Sequence, residues 1–507
     1  MPSRILLGPL LGLEGDSRYT ICLLSSKDTE APQAVVDGTA FPAALVEETP
    51  RGVLWRAEVD VSIHSKGRFV SYRIESGQNA LKDPESRSAW NFWIPGRSEE
   101  PRIAYASCNG FSDGDMKTKL EDPYRMWKVM RDSHESAPFS LLIMGGDQLY
   151  ADEIWHSRAR APSLVRWARL PLKDRIEAAV TPRLRRELDS FYEDVYVRHW
   201  NQEAMSGMMA SIPSLMMWDD HDIFDGWGSY PSELQNCPVY QAVFAAARRY
   251  FELFQLRSSR NATLLRRGGT HFSFGLRFRK YAILGLDNRS NRSETAVMND
   301  QNWSDVKGWL SDLRKRLQPS KGSISTLLVL AANPVVYRDL RTAETVFDVT
   351  PWQEELTDDI RDQWRSRHHE GERMKLIMNL MEVGGRPTQS LLFRKVILSG
   401  DVHVGCLGII ERSGADAPTR TIHQVVSSAI VHPAPSWYQW AGVLVGSSDE
   451  PESLEGGTIT AAMIKPYGAD KYLRTRNFAA LQEGTDGKLW VTWFCENGAK
   501  AEYPIAN

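Results

Sequence analysis

Aspartate, histidine, cysteine and tyrosine recur in this chain where short apolar runs stop. In chain order the polar ends are Cys108-Asn109 after residues 103–107, Gly146-Asp147-x-x-Tyr150 after 140–144, Asp219-Asp220-His221 after 214–218, Asp287-x-Arg289 after 281–286, Asn333 after 326–332, and Gly400-Asp401-x-His403 after 395–399. One Gly-Gly-Asp is an ordinary turn, and a lone histidine is more often a core residue than a ligand. Six such ends in one region point instead to a shared site. Carboxylate and amide oxygens suit hard divalent ions, imidazole suits zinc and iron, and a thiolate with a phenolate suits iron, particularly Fe(III). Asp147 has two carboxylate oxygens and can bridge two ions. Two ions a few ångström apart stabilise the attacking and leaving oxygens of an in-line displacement at phosphorus. Hydrolysis of a phosphate ester by a metal-bound hydroxide is therefore the first reaction to expect.

These residues can meet only if their strands share a sheet and most run parallel, because open α/β sheets gather ligands outside the carboxyl ends of the strands. From Arg102 onward apolar runs do alternate with helical segments. Helices are expected at about 123–131, in an insertion at about 166–202, and at 240–254, 300–317 and 358–381. The insertion carries the plainest signal: Thr181-Pro182 is an N-cap with proline at the first helical position, and Leu184, Leu188, Phe191, Tyr192 and Val195 follow at helical spacing. Residues 270–286 are expected to form an antiparallel pair leading into a strand. Beyond His403 the chain turns strand-rich again, at 421–427, 458–464, 477–481 and 489–494. Residues 1–98 hold short alternating segments at 19–24, 52–61, 67–74 and 90–96, which predict a small antiparallel β domain of sandwich type that shapes a rim. The division expected is thus 1–98 and 99–507.

With 507 residues the chain is too long for one core, and its composition is that of an ordinary soluble protein: 42% apolar, 25% charged, net charge −3. So small a charge argues against a dedicated nucleic-acid or membrane-surface binder. No run of about eighteen apolar residues exists to span a membrane. The first twenty residues make a weak signal peptide, and five scattered cysteines form neither a CxxC pair nor a secreted framework, so the cytoplasm is the expected compartment.

Several segments, in order and spacing, resemble the PhoD-like (alkaline phosphatase D) family of metallophosphoesterases: ASCN (106–109), GGDQLYAD (145–152), MWDDHDIFDGWGSYP (217–231), LDNRSNR (286–292), DDIRDQW (358–364) and LSGDVHVG (398–405). The resemblance covers about residues 100–430 and is to the non-exported branch. It implies an α/β fold, a four-layer αββα metallophosphoesterase core preceded by the small β-sandwich domain. It also implies a multinuclear cluster of Fe(3+) with Ca(2+) or another divalent ion (Mn, Zn or Mg), and cleavage of phosphomonoesters, phosphodiesters or both. By position, Cys108, Asp147, Tyr150 and His403 are similar to the ferric ligands. Asp147 again, Asp220, Asn333 and Asp401 are similar to the divalent ligands. His221 corresponds to the proton donor to the leaving alkoxide, with Asp219 expected as the acceptor that orients it or a backbone amide. Arg289, Arg292 and Asn109 are expected at the phosphate.

Departures from the family pattern at Asn109, Gln148 and Asp222 bear on substrate preference more than on metal. Each assignment has a structural rival. Cys108 is a small apolar side chain at a strand end and Tyr150 a core aromatic. Asp287, Arg289 and Arg292 form an ion-pair network locking a loop, and Asn333 is a turn residue. His423 and His432 are expected in the core or rim, and Trp437, Tyr438 and Trp440 in packing. The expected partner is a small-molecule phosphate ester, with no stable nucleic-acid partner and no membrane. The competing functions are a phosphotriesterase on the same site and a non-catalytic metal-binding relative.

Overall fold

A computed structural model describes residues 4–158, 160–317, 324–339, 363–384, 393–414 and 417–506. Its strands fall into two large mixed sheets. In the first, Ile103–Ala106, Leu141–Gly145 and Ser214–Met217 run parallel side by side. Asn477–Glu483 pairs antiparallel on the outer side of Ile103–Ala106. In the second, Tyr281–Gly285, Thr326–Leu330, Arg394–Ser399 and Ala417–Val426 are parallel neighbours, with Phe274–Phe278 antiparallel at the edge.

Why these runs are strands follows from what each face meets. In Thr326–Leu330, Leu328 and Leu330 enter the apolar cluster shared with the first sheet, whereas Leu327 and Val329 enter the one under the helices Asp300–Arg316 and Glu370–Glu382. A strand buried on both faces needs an unbroken apolar run, and each fully buried Leu or Val contributes about 1.5–3 kcal/mol. On the far side of the first sheet, Arg125–Ser136 packs near Asn477–Glu483, and Glu203–Ser211 lies on Ile5–Leu13. The result is the expected four layers, helices, sheet, sheet, helices.

Several elements depart from the expected bounds. Ile5–Leu13 is a buried strand, paired antiparallel with Arg18–Ser25 and touching Ser214 in parallel at Gly12, so the N-terminal strands extend the first sheet. Gln33–Val36 and Thr39–Glu48 are further strands there. Arg68–Ser76 pairs with Gln33–Val36 and Trp90–Ile94 with Arg68–Ser76, and Phe92 meets Tyr19 with ring centroids 5.0 Å apart. The helix expected at 240–254 is an α-helix over Pro238–Tyr250 that closes in a π-turn, Phe251–Gln255. The one expected at 123–131 spans Arg125–Ser136. Of the segment 358–381, residues 358–362 lie outside the described residues, and the helix runs Glu370–Glu382. Among the described residues no helix is long and apolar enough to cross a membrane.

Burial also sets an acid response. His134, buried where its Nδ1 accepts from the Phe139 N–H at 3.1 Å, has its pKa pushed down to about 4 by desolvation and then by Arg102. The unfolded chain therefore takes up this proton between pH of about 6.5 and the folded value, and the stability His134 contributes is lost as pH falls through that window. The loss of urea stability from pH 7 to 4.5 is expected to be larger in the parent than in His134→Gln; equal losses would contradict the assignment.

Candidate metal centre

Three parallel strands, Ile103–Ala106, Leu141–Gly145 and Arg394–Ser399, hand their last residues to sharp backbone turns. Gly146 has φ +109°, and Asp147 φ +52°, Cys108 φ +52°, Asp401 φ +69° and His403 φ +52° all sit in the left-handed region. Outside glycine this conformation costs of the order of 1 kcal/mol or more per residue, and it concentrates where function demands it. Here it is held by crossing backbone bonds: Asn109 N–H to Asp147 C=O at 2.7 Å, Cys108 N–H to Gly146 C=O at 3.2 Å, and Gly400 N–H to Ala332 C=O at 2.8 Å.

The turns bring Asp147, Asp219, Asp220 and Asp401 together, with one oxygen of each within 4.8 Å of the others. Asp147, Asp219 and Asp220 are buried. Burial and then the Asp219 charge push the Asp147 carboxyl well above the usual carboxylate range. Its Oδ1, shut off from water, has no hydrogen-bond partner among the described residues. Like charges gathered this closely in a desolvated place need positive charge, and hard oxygen donors of this number and spacing fit divalent or trivalent cations.

Beside this group lies a softer set. The Cys108 thiol is 3.6 Å from Asp147 Oδ2, and the Tyr150 hydroxyl 3.2 Å from His403 Nε2. Gly110 makes room for the phenol: a Cβ there would come within 2.3 Å of Tyr150 Cδ2. Burial pushes both the Cys108 thiol and the Tyr150 phenol well above their usual range, and holds His403 well below its own. Sulfur, phenol, imidazole and a shared carboxylate fit an iron-type ion. Asn333 is fully buried on the loop that follows Thr326–Leu330 in the second sheet. Its loop is pinned by Gln424, whose Oε1 accepts from Val335 N–H at 2.7 Å and Val336 N–H at 2.9 Å.

His221 stands apart from both sets in its support. Its Nδ1–H donates to Asp152 Oδ2 at 2.8 Å, and the other Asp152 oxygen accepts from the Asp225 N–H at 2.7 Å. Nε2 faces Asp225 at 3.9 Å and, with Asp220, could also join an ion. Burial disfavours the charged ring, yet Asp152, Asp220 and Asp225 outweigh it and hold its pKa well above the ordinary histidine value. Orientation of His221 thus falls to Asp152, in place of the expected Asp219. Asp152 stands inside the GGDQLYAD segment, where no local pattern marks its role.

Two expected substrate contacts, Asn109 and Arg289, are engaged in internal hydrogen bonds. Asn109 is fully buried; its Oδ1 accepts from Trp127 Nε1–H at 2.9 Å and its amide donates to Gln148 C=O at 3.3 Å. Arg289, also fully buried, donates to Asp219, to Asp220 at 3.4 Å and to Trp227 C=O at 3.0 Å. Arg292 lies buried with Nη2 3.4 Å from His369 Nδ1. Asp287 accepts from Trp218 Nε1–H at 3.0 Å and from the backbone N–H groups of Arg289 and Ser290, at 3.1 Å and 3.0 Å. The LDNRSNR segment is therefore organised as the loop-locking network. Asp222 lies beneath the site, accepting from Asp219 N–H at 2.9 Å and Gln148 N–H at 3.2 Å, and burial raises its pKa to about 7. Trp440 packs on Tyr472 at 5.3 Å, whereas Trp437 and Tyr438 are 65% and 82% exposed. His423 and His432 are both buried, as expected, and the His432 ring stacks on His403.

Because Arg289 neutralises buried carboxylates, Arg289→Met is expected to destabilise the metal-free protein by about 3–5 kcal/mol. Denaturant unfolding checks this; unchanged stability with a raised KM would return Arg289 to a substrate contact.

A family described as PhoD related phosphatase matches residues 80–354 and 350–441. An uncharacterized Saccharomyces cerevisiae protein, YGR266W, is 26% identical over 494 residues, covering 81% of this chain; the match spans 66% of that relative's length. Among solved structures, that of PhoD superposes with a TM-score of 0.60 at 13% identity, covering 99% of this chain and 91% of the other. The purple acid phosphatase PPD1 from yellow lupin (Lupinus luteus) seeds superposes with a TM-score of 0.51 at 10% identity, covering 98% and 74%. With two sheets stacked between helices and carboxylates gathered at the strand ends, the chain belongs to the PhoD-related phosphatase family.

Proposed function

We propose that this protein is a metal-dependent hydrolase of phosphate esters, mono- or diesters, acting at the Asp147 cluster. The observation that carries the reading is the convergence of Asp147, Asp219, Asp220 and Asp401 within 4.8 Å, with a buried Asp147 oxygen that takes no hydrogen bond among the described residues. In this reading Cys108, Asp147, Tyr150 and His403 hold a ferric ion, and Asp147, Asp220, Asn333 and Asp401 hold calcium or another divalent ion. Such ions, when bound, neutralise phosphoryl charge and acidify water.

The chain's own groups do the rest. Burial keeps bulk water from Asp147, Asp219 and Asp220, which raises the strength of the electrostatic contacts there. His221 is the proton donor. With Nδ1–H fixed on Asp152, its Nε2–H protonates the departing oxygen as the P–O bond breaks and negative charge collects on that atom. Asp152 keeps the ring from turning and stabilises its charged form. Arg289 holds Asp219 and Asp220 in place rather than touching the ester.

His221→Ala is expected to lower kcat by about 10²–10⁴-fold for esters with poor leaving groups and far less for activated aryl esters, which depart without a proton. Asp152→Asn should follow the same trend with a smaller loss. A series of aryl and alkyl phosphodiesters checks this, and equal losses across the series would contradict the proton-donor role. Chelation should abolish turnover, and readdition of metal should restore it; turnover persisting in chelator-treated, metal-free protein would sink the proposal.

A further inference from the structure

His432 has no part in the reaction just described, yet it is built into the site more firmly than a rim residue needs to be. The segment that carries it, residues 427–432, crosses the carboxyl ends of both sheets. Ser427 N–H donates to Ser399 C=O at 3.0 Å, Ile430 N–H to Ser107 C=O at 3.0 Å, and His432 N–H to Cys108 C=O at 3.1 Å. From behind, Asn477 N–H donates to Ala429 C=O at 3.0 Å and the buried Arg476 guanidinium to Val431 C=O at 3.3 Å. The segment is thus a clasp over Cys108, whose left-handed backbone it helps to hold.

The ring is equally constrained. A carbonyl oxygen only accepts, so the 2.9 Å contact between Nδ1 and Pro433 C=O places the proton on Nδ1. Nε2 then presents a lone pair to the Ser112 hydroxyl at 3.2 Å. With both nitrogens engaged, the plane is fixed, and two expected ligands lie against it. His403 stacks on it with centroids 3.7 Å apart and planes 17° apart, and Tyr150 at 5.5 Å and 19°. Tyr150 in turn stacks on His221 at 4.2 Å. The His432 ring therefore ties together the orientations of the phenol and the imidazole whose polar atoms meet at 3.2 Å.

We propose that His432 is a positioning residue that sets the planes of Tyr150 and His403 by ring stacking, and so preorganises the iron-type half of the centre. This rests on the metal reading above and on no titration of His432. Groups that support a metal's ligands typically alter metal affinity by about 10–100-fold when removed. Stacking supplies the constraint, so an aromatic ring without nitrogens should preserve most of it.

The test is iron retention by the full-length protein after dialysis against graded chelator, measured by elemental analysis, with the tyrosinate-to-iron absorption recorded alongside. His432→Ala is expected to lose iron at about 10–100-fold less chelator than the parent and to shift or bleach that absorption, while His432→Phe stays close to the parent. Thermal melting of the metal-free forms serves as the folding control. Should the alanine variant not fold, His432→Gln, which keeps a polar side chain beside Ser112 but lacks the ring, takes its place. Iron retention unchanged in the ring-less variant, or lost as readily in His432→Phe, would overturn the proposal. A parent that retains no iron would overturn the reading on which it rests, whatever its turnover.

Discussion

Carboxylates held together away from water set the terms for the rest of this molecule. Asp147, Asp219, Asp220 and Asp401 bring oxygens within 4.8 Å of one another, and the first three are buried. Left alone, such a group would protonate or spread apart, since an isolated buried charge is costly and like charges repel strongly at low dielectric. The fold answers in two ways. It supplies fixed positive charge and donors: Arg289 to Asp219 and Asp220, the Gly226 N–H to Asp220 at 2.9 Å, and His221 held by Asp152. It also denies the carboxylates room to separate, because each sits on a turn bounded by strands packed on both faces.

That second answer explains the architecture. Strands buried on both faces cannot slide by one residue without driving a leucine from one apolar layer toward the other. The left-handed residues Cys108, Asp147, Asp401 and His403 are therefore tolerated at the strand ends, where the ladders and the crossing bonds between turns leave no alternative. Cations bound in the centre would supply the remaining charge, so metal affinity and stability are coupled in this protein: ions that bind only the folded chain stabilise it.

Much of this could be read from residue order. Apolar runs of strand length ending in polar residues marked the parallel strands, and Asp147, Asp219, Asp220 and Asp401 do come together, with Cys108 beside Asp147. The stripe from Leu184 to Val195 is the buried face of Pro182–Trp200. What could not be read is of a different kind. Asn109 and Arg289 carry functional-looking polar groups, and only burial and partner geometry assign them to the scaffold. Asp152 opens the 3-10 helix Asp152–Trp155, and nothing local says that its carboxylate reaches His221 on another loop. His432 sits far along the chain from Cys108, Tyr150 and His403, and long-range stacking leaves no periodic trace. The Leu/Gly segment at 5–13 resembles other short apolar stretches, and its place beside Ser214 depends on sheet pairing at a distance.

In the proposed function the strand-end carboxylates hold a metal cluster shared through Asp147. Crystals of protein purified without chelator, measured for anomalous scattering on both sides of the iron absorption edge, address it most directly. At least two ions are expected, both within bonding distance of Asp147, with the iron signal on the side of Cys108, Tyr150 and His403. Anomalous density absent from this cluster in catalytically active crystals, or a lone ion that does not touch Asp147, would contradict it.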